Sequence, residues 1–469
     1  MKVEQIYTGC LAEAAYYIES KGEAVIIDPL RETKPYLERA EKDGAKIKYV
    51  LETHFHADFV SGHLDLAKKT GATIVYGPTA KPNFEAYIPK DGEELKVGDV
   101  TIVVLHTPGH TMESTTYLLR DETGKDYAIF TGDTLFIGDV GRPDLAVKSD
   151  LSREDLAGFL FDSLRNKILP LADEVIVFPG HGAGSACGKK MSDETSATLG
   201  DQKLLNYALK ADMTKEEFIK EVTDGLVEPP QYFPKNAVMN RMGYESIDDV
   251  IARGMTPLNV AQFQAVWETE DALVLDARHK DEFVKGFIPG SIFIGIDGSF
   301  AAWVGALITD LNQPIIFLAP DGREEEVVTR LARVGYDNAL GFLKGGIDAW
   351  VEAGGELDTV TEISPAQLAE MAENSGFNIL DVRKESEFNS QHFEGVENFP
   401  LDFINRNMSN LDPKKRYILH CASGFRSVIA ASILKARGYQ DIWNVPGGFQ
   451  AMIHTSLPVS AFQEQKTML

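Results

Sequence analysis

The chain has 469 residues, which is long for a single hydrophobic core and makes three domains the natural expectation. It carries 46 basic and 71 acidic residues, and its formal net charge of −25 argues against nucleic acid or an anionic membrane as a partner. No stretch is apolar enough to span a bilayer, and the first residues lack a signal-peptide pattern. Three scattered cysteines exclude a disulfide framework, so we expect a cytoplasmic protein.

Strands and helices alternate irregularly along the first half of the chain. Residues 64–69 are predicted to be helical, and the proline-rich segment 228–234 ends the pattern, so the first domain is placed at residues 1–235. The strand candidates share apolar, β-branched sequences that end in a Gly-, Pro- or Asp-rich turn. They are residues 24–28, 46–51, 73–76, 100–105, 128–130 and 174–178.

The second half of the chain repeats itself. The sequence LVLDAR at 273–278 corresponds to NILDVR at 378–383, and each is followed by a Glu-Phe pair and a glycine. The shared order and spacing predict two copies of one small α/β domain, at residues 255–355 and 360–469. In each copy we expect a parallel sheet, with the Asp-x-Arg sequence forming a structural corner at a strand end.

Residue types that bind metals gather in the loops after predicted strands. Segment 51–63 reads LETHFHADFVSGH and lies between a strand and a helix. A sheet holds such a loop rigidly while leaving its side chains free to bind, so the pattern predicts a metal site. In chain order, the strand-end loops contribute His54, His56 and Asp58, then His106 and His110, then Asp133, and finally His181.

The motifs HxHxD, TPGH, GDTLF and GH, in this order, resemble those of the metallo-β-lactamase superfamily across roughly residues 1–230. The resemblance implies an αββα sandwich for the first domain. Hydrolases of that superfamily usually show HxHxDH, whose final Asp-His pair helps to hold a second metal. Here Phe59 follows Asp58 and cannot ligate, which predicts one metal per chain.

The segment 132–144, GDTLFIGDVGRPD, is similar to the persulfide dioxygenase branch, which holds one iron(II) by two histidines and one aspartate. By position, the resemblance implies the ligands His54, His110 and Asp133. Such a set leaves three coordination positions open for water, dioxygen and substrate, whereas zinc hydrolysis favours a tetrahedral set with one water. His56 and His181 are candidates either for ligation or for a place beside the ligands, with the second favoured. His106 is interpreted as a loop histidine.

Cys421 begins the sequence CASGFR between a predicted strand and a predicted helix, which resembles the rhodanese active-site loop. Backbone N–H groups at a helix N-terminus lower the pKa of a thiol and stabilise an anion, and Arg426 adds positive charge. Four residues separate Cys421 from Arg426, where cysteine phosphatases have five, and this smaller cradle suits a terminal sulfur. The first repeat also resembles a rhodanese, but its segment 317–326 lacks a cysteine, so we expect an inactive spacer.

The remaining cysteines carry weaker signals. Cys187 comes after His181 in a Gly-rich loop close to the predicted metal, where it could either pack or relay a persulfide. Cys10 lies in a glycine turn and is interpreted as a packing residue.

Over nearly its full length the chain resembles bacterial persulfide dioxygenase–rhodanese fusions. The resemblance implies that one iron(II) per chain oxidises a small thiol persulfide with O2 to sulfite, and that Cys421, as nucleophile, passes sulfane sulfur to sulfite to form thiosulfate. The alternatives are a glyoxalase II-like thiolester hydrolase, which needs the histidine missing after Asp58, and a silent sulfur-sensing scaffold. The intact metal set and Cys421 loop argue against the scaffold. A homo-oligomer is expected as the default for such enzymes.

Overall fold

The computed structural model describes residues 1–146, 151–372 and 378–465. The chain divides into two compact units, of which the first contains Met1–Ile247 and the second contains the two smaller sheets later in the chain. Within the described ranges, no helix is both long enough and apolar enough to cross a membrane.

The first unit contains two mixed sheets. Five strands, paired in chain order, form one sheet: β1 (Lys2–Thr8), β2 (Glu13–Ser20), β3 (Glu23–Ile27), β4 (Lys46–Leu51) and β5 (Thr73–Val75). Six strands, again in chain order, form the other: β6 (Glu94–Val97), β7 (Val100–His106), β8 (Thr115–Arg120), β9 (Asp126–Gly132), β10 (Ile176–Pro179) and β11 (Ala197–Thr198). The pairs β3–β4, β4–β5 and β9–β10 are parallel, and the others are antiparallel.

Helices cover the outer faces of both sheets. Those of the first unit are α1 (Lys34–Lys42), α2 (His63–Thr70), α3 (Arg153–Ser163), α4 (Leu199–Leu205), α5 (Lys215–Thr223) and α6 (Phe233–Met242), with a π-helical turn at Leu164–Ile168 and a 3₁₀ turn at Tyr207–Leu209; α7 (Ile247–Gly254) comes next.

Successive strand residues point to opposite faces. Ile18 of β2 therefore packs between the sheets, whereas Tyr17 packs in the cluster that includes residues of α1 and α2. On β9, Phe130 lies between the sheets and Ile129 packs with residues of α3 and α5. The layers are helix, sheet, sheet, helix, which confirms the αββα sandwich.

The predicted strands of the first unit are confirmed as β3, β4, β5, β7, β9 and β10, and the predicted helix is confirmed as α2. Strands β1, β2, β6, β8 and β11 are not among the predicted ones. Strand β2 is covered on both faces, so its sequence lacks the apolar–polar alternation that marks a half-exposed strand. The predicted domain limit at 235 falls inside α6, and the domain limits remain predictions.

The second unit contains two five-stranded sheets in which every neighbouring pair is parallel. The strands of the first are β12 (Pro257–Leu258), β13 (Leu273–Asp276), β14 (Ile292–Phe293), β15 (Ile315–Leu318) and β16 (Ala339–Leu343). Those of the second are β17 (Thr361–Glu362), β18 (Asn378–Asp381), β19 (Glu397–Asn398), β20 (Tyr417–His420) and β21 (Ile442–Asn444). Their spatial orders, β12-β16-β15-β13-β14 and β17-β21-β20-β18-β19, are the same topology, which confirms the internal repeat.

Each repeat has five α-helices among its described residues. They are α8 (Val260–Thr269), α9 (Lys280–Phe283), α10 (Phe300–Leu307), α11 (Glu324–Arg333) and α12 (Gly346–Glu352), then α13 (Pro365–Ala372), α14 (Glu385–Ser390), α15 (Ile404–Asn407), α16 (Arg426–Ala436) and α17 (Gly448–Met452). Short 3₁₀ turns occur at Leu401–Phe403 and Met408–Asn410. The last four residues of the predicted third domain, 466–469, lie outside the described residues.

The Asp-x-Arg sequence closes a buried corner in both repeats, as predicted. The Arg383 guanidinium donates to both carboxylate oxygens of Asp381, at 2.6–3.0 Å, and to the carbonyl of Gln391 at 2.7 Å. Arg278 makes the equivalent bonds to Asp276, at 2.6–3.1 Å. In each corner the arginine therefore neutralises a carboxylate that the strand end carries into the interior.

Replacing Arg383 with alanine should leave the buried Asp381 carboxylate without the cation that pairs with it. We expect the free energy of unfolding of the second unit to fall by about 3–5 kcal/mol. Denaturant unfolding followed by circular dichroism measures the change. The control is Arg416→Ala, which removes a half-exposed partner of Asp441 and should cost about 1 kcal/mol or less. Equal losses in the two variants would contradict the structural role of the corner.

Candidate metal centre and thiol loop

The metal-binding residue types converge at one edge of the αββα sandwich. The loop after β4 carries His54, and the loops after β7 and β9 carry His110 and Asp133. His181 comes just after β10. Strands β7, β9 and β10 run in the same direction, so their carboxyl ends lie at the same edge of the second sheet. The fold thus brings together loops that are far apart in the sequence.

Three predicted ligands form one donor group. One ligand atom each from His54, His110 and Asp133 lies within 4.8 Å of the others, and all three side chains are buried. Asp133 Oδ2 is 3.4 Å from His110 Nε2 and 3.9 Å from His54 Nε2. Burial, together with neighbouring imidazoles, holds the pKa of His54 well below its usual range, so this ring is neutral at physiological pH.

Hydrogen bonds on the far side of each ring fix which nitrogen faces the centre. His110 Nδ1 donates to the carbonyl of Arg142 at 2.9 Å, and His181 Nδ1 donates to that of Ala12 at 3.1 Å. Thr53 Oγ1 donates to Asp28 and accepts from His54 Nδ1 at 3.0 Å. In a neutral imidazole this leaves the lone pair on Nε2, the atom that a metal binds.

The same arrangement leaves the Asp133 carboxylate facing the Nε2 atoms of His54, His110 and His181. Neither of its oxygens has a hydrogen-bond partner among the described residues, although only 2% of the residue is exposed. A buried, ionised carboxylate without donors is strongly unfavourable unless a cation lies beside it. The donor set therefore fits a bound metal ion.

His56 does not join this group. Its Nε2 atom is 3.0 Å from Asp28 Oδ1 and 3.4 Å from Glu52 Oε2, and these three residues form a separate buried cluster. Phe59 stacks on the His56 ring at 4.3 Å. Burial alone would lower the pKa of His56, but Asp28 and Glu52 raise it well above its usual value. The side chain is oriented as the partner of two carboxylates rather than as a fourth donor around Asp133.

His181 contributes to a third group, together with Asp58 and Cys187. His181 Nε2 is 3.3 Å from Asp58 Oδ2 and 3.5 Å from Asp133 Oδ1. Cys187 is 1% exposed, so its thiol lies inside the protein. The pKa of this thiol is raised well above its usual value, mainly by burial and in addition by the neighbouring carboxylates of Asp58 and Asp133. Whether Cys187 relays a persulfide stays a prediction.

Two supporting residues are absent from the sequence predictions. Asn240, on α6, donates to the carbonyls of His56 and Phe59 at 2.8 and 2.7 Å and accepts from Ser61 N–H, so it braces the histidine loop from about 180 residues away. Gly180 allows the close approach of β10 to Asp133, because an added Cβ would lie 2.8 Å from Asp133 Oδ1. Nothing in the sequence near Asn240 marks it as a buried supporting residue, whereas the Pro-Gly-His sequence at 179–181 could have pointed to Gly180.

The other two residues singled out in this unit lie outside the donor groups. The His106 ring bonds to the carbonyl of Met112 at 2.9 Å, in agreement with its interpretation as a loop histidine. Cys10 is partly exposed in the turn after β1 and belongs to none of the three groups.

Cys421 follows β20 directly and begins the five-residue loop that leads into α16. Its Sγ atom accepts hydrogen bonds from Gly424 N–H at 3.2 Å and from Ser427 Oγ at 3.7 Å. Both donors are directed at the sulfur, the atom that would act as the nucleophile. Gly448 packs against this loop. Its φ of 52° is unfavourable for residues with a side chain, and an added Cβ would lie 2.3 Å from the Cys421 carbonyl oxygen, so the position requires glycine.

Arg426, the other predicted catalytic residue, is held by an ion pair. Its guanidinium donates to both oxygens of Glu387, at 2.5 and 2.8 Å. Burial alone would raise the pKa of Glu387, but Arg426 lowers it, so the pair is ionised at physiological pH. Arg426 therefore anchors the first turn of α16 to α14, next to the loop in which Gly424 N–H donates to Cys421.

The first repeat has a loop of the same length with different chemistry. Five residues separate β15 from α11, as five separate β20 from α16. Ala319 takes the place of Cys421, and Glu324 takes the place of Arg426. Without a thiol, this loop cannot carry sulfur covalently.

Comparisons with known proteins agree with this architecture. The model of the metallo-beta-lactamase superfamily matches residues 8–181. Hydroxyacylglutathione hydrolase GloC of Haemophilus influenzae is 31% identical over 189 residues, which cover 36% of this chain and 84% of that protein. The chain belongs to the metallo-β-lactamase superfamily. Its second half contains two rhodanese-like domains, matched over residues 259–353 and 364–454.

Two further proteins are similar to larger parts of this metallo-β-lactamase superfamily chain. A crystal structure of a metallo-beta-lactamase from Staphylococcus aureus subsp. aureus COL is 31% identical, with a TM-score of 0.63, and the match covers 73% of this chain and 98% of that one. The mitochondrial persulfide dioxygenase ETHE1 of Homo sapiens is 28% identical over 211 residues, 45% of this chain and 74% of that protein. The relatives thus include a hydrolase and a dioxygenase, and both halves of the chain come from enzyme families.

Replacing Asp133 with alanine should remove the carboxylate that faces all three Nε2 atoms. We expect metal affinity of the metallo-β-lactamase domain to fall by more than about 100-fold, since losing even an outer partner of a ligand costs about 10–100-fold. Metal analysis after dialysis against a weak chelator measures this. The control is Asp126→Ala, whose carboxylate pairs with Arg120 at the surface. Unchanged metal content in Asp133→Ala would refute the assignment.

Proposed function

We propose that the metallo-β-lactamase domain is an iron(II)-dependent persulfide dioxygenase, and that the second rhodanese-like domain passes sulfane sulfur to sulfite. The observation that carries the proposal is the donor group of His54, His110 and Asp133, from which His56 is withdrawn by Asp28 and Glu52. Similarity to a persulfide dioxygenase over 45% of the chain supports it.

The donor chemistry favours iron(II) at this group. Two neutral imidazoles and one carboxylate are the protein ligands typical of non-haem iron oxygenases. Iron(II) held there would supply open coordination positions at which dioxygen and a persulfide sulfur react. The chain's own contribution is to orient the three donors through Thr53, Arg142 and the β9 strand end, and to bury them so that bulk water is excluded.

The proposed reaction is R-S-SH + O2 + H2O → R-SH + SO3²⁻ + 2H⁺. The outer sulfur is oxidised from the sulfane state to sulfite and loses four electrons, and the two oxygen atoms of dioxygen gain them. The S–S bond breaks, and the inner sulfur leaves as the thiol. The products are a small thiol and sulfite, which becomes the acceptor for the second centre.

Cys421 is the proposed carrier in the second centre. Its thiolate attacks the outer sulfur of a persulfide, the thiolate R-S⁻ leaves, and a Cys421 persulfide forms. Sulfite then attacks the outer sulfur of that persulfide, which releases thiosulfate and restores the Cys421 thiolate. The Gly424 N–H and the Ser427 hydroxyl stabilise the anionic sulfur in both half-reactions.

Thiolester hydrolysis is the second candidate function. The similarity to a hydroxyacylglutathione hydrolase over 84% of that protein's length favours it. Against it stands Phe59, which takes the position where hydrolases of this superfamily usually have a histidine, and which instead covers His56. The two candidates differ in the metal that they require and in their need for dioxygen.

One experiment separates them. Apoprotein is reconstituted anaerobically with iron(II) or with zinc and is given either glutathione persulfide or S-lactoylglutathione. We expect dioxygen uptake, with one sulfite formed per O2, only in the iron form with persulfide. Zinc-dependent release of glutathione from S-lactoylglutathione, without dioxygen uptake by the iron form, would overturn the proposal in favour of the hydrolase.

A second prediction separates the two centres. Cys421→Ser should leave dioxygen uptake largely unchanged, because the proposed iron ligands are untouched. Thiosulfate formation should fall by at least about 100-fold, since serine is a far poorer nucleophile at neutral pH, and sulfite should accumulate instead. Ion chromatography of the products measures both anions.

The matched control is Cys10→Ser, which removes a thiol outside the Cys421 loop and should leave the thiosulfate yield unchanged. Thiosulfate formed at the parent rate by Cys421→Ser would refute the role of this residue as the carrier. Loss of dioxygen uptake in the same variant would show that the two centres do not act separately.

A further inference from the structure

Helix α6 crosses the histidine loop and carries two asparagines on its buried face. Asn240 donates to the carbonyls of His56 and Phe59, at 2.8 and 2.7 Å, and accepts from Ser61 N–H at 2.9 Å. Residues four positions apart share a face of a helix, so Asn236 lies on this face about 6 Å nearer to the N-terminus of α6. Both asparagines are 0% exposed.

The two side chains differ in their partners. The amide oxygen and the amide nitrogen of Asn240 are both bonded to the histidine loop. Neither of these atoms in Asn236 has a hydrogen-bond partner among the described residues. Buried polar groups in folded proteins are nearly always bonded to protein, water or a ligand, because an unmet donor or acceptor is unfavourable there. Asn236 therefore offers both a donor and an acceptor to a molecule that binds beside it.

The chain on either side of Asn236 is tied to the first donor group. Upstream, the carbonyl of Val227 accepts from the guanidinium of Arg142, whose own carbonyl accepts from His110 Nδ1. Downstream, Asn240 holds the histidine loop. The segment between these two attachments passes from one side of the donor group to the other. It places Asn236 next to the centre at which the proposed substrate reacts.

The amide of Asn236 discriminates among the chemical groups of a ligand. A carboxylate only accepts and an ammonium group only donates, so either would leave one atom of Asn236 unmet. An amide has an N–H and a C=O and can bond to both atoms together. The interior near the histidine loop already contains the carboxylates of Asp28, Glu52 and Asp58, which disfavours a further carboxylate.

We propose that Asn236 binds an amide group in the thiol part of the substrate, and so selects persulfides of peptide-like thiols over persulfides of simple alkyl thiols. The inference rests on the proposed function, in which the outer sulfur of R-S-SH reacts at the group of His54, His110 and Asp133. Holding the amide beside that group orients the sulfur end of the substrate toward it. Asn236 is a binding residue and takes no part in making or breaking bonds.

Asn236→Leu separates binding from folding. Leucine has nearly the shape of asparagine without its polar atoms. Because the amide has no protein partner, its removal should leave the melting temperature unchanged or raise it. Asn240→Leu is the matched control on the same helix. It removes the bonds to His56, Phe59 and Ser61 and should lower the melting temperature by several degrees. Scanning calorimetry measures both.

S-methylglutathione is the probe for binding, since it has amide groups on both sides of its cysteine and no persulfide to react. Titration calorimetry on the full chain should give a Kd at least about 10-fold weaker in Asn236→Leu than in the parent, as expected for the loss of one or two hydrogen bonds. Equal affinities, or a parent that does not bind the probe, would overturn the proposal. So would a melting temperature of Asn236→Leu as low as that of Asn240→Leu, because the amide would then be bonded within the free protein.

Asn236→Ala keeps the proposal testable if Asn236→Leu fails to fold. It is titrated with the same probe, and dioxygen uptake is measured with glutathione persulfide and with ethyl persulfide, which has no amide. We expect the ratio of the two kcat/KM values to fall at least about 10-fold. Equal losses for both substrates would indicate a purely structural role and would overturn the proposal. If no protein consumes dioxygen, the dioxygenase proposal fails, while the titration still decides the role of Asn236.

Discussion

The Asp133 carboxylate is the constraint around which the first unit is built. It is buried, it lacks a hydrogen-bond donor among the described residues, and the Nε2 atoms of three imidazoles face it. An anion in such surroundings costs several kcal/mol or more unless a cation offsets it. The loops from both sheets, the glycine at 180 and the carbonyls that accept from His110 and His181 hold this unfavourable geometry in place. The metal centre is therefore part of the energetics of the fold as well as of its chemistry.

Buried charge also explains why the histidine motif divides into two parts. Asp28 and Glu52 lie in the interior beside His56, and together they hold its ring away from Asp133. His63 approaches Glu52 on the other side, with Nδ1 3.4 Å from Oε1. Asp28 and Glu52 thus each have an imidazole partner. The motif thus places His54 in the donor group around Asp133, His56 beside two carboxylates and Asp58 in a neighbouring donor group.

The two rhodanese-like repeats show how one fold carries different chemistry. Strand order and the Asp-x-Arg corner are the same in both, while the loop after the central strand has either a thiol or an alanine. The repeat without the thiol also contacts the active loop. Phe293 packs edge-on against Phe425 at 5.7 Å, and its N–H donates to Ser432 Oγ on α16. The expected spacer thus contributes to the packing of the loop that holds Cys421.

Strand periodicity and turn residues predicted the strands and the strand-end loops, because these patterns depend on residues close in sequence, and the repeated segments predicted the internal repeat and its Asp-x-Arg corner. The sandwich and the set of His54, His110 and Asp133 were implied by the resemblance of four ordered motifs to the metallo-β-lactamase superfamily. The orientation of His56, the bracing by Asn240 and the grouping of Asp58 with His181 and Cys187 depend on residues up to 184 positions apart. Hydrogen-bond partners and buried charges choose among side-chain directions only after the chain has folded, so no local pattern encodes them.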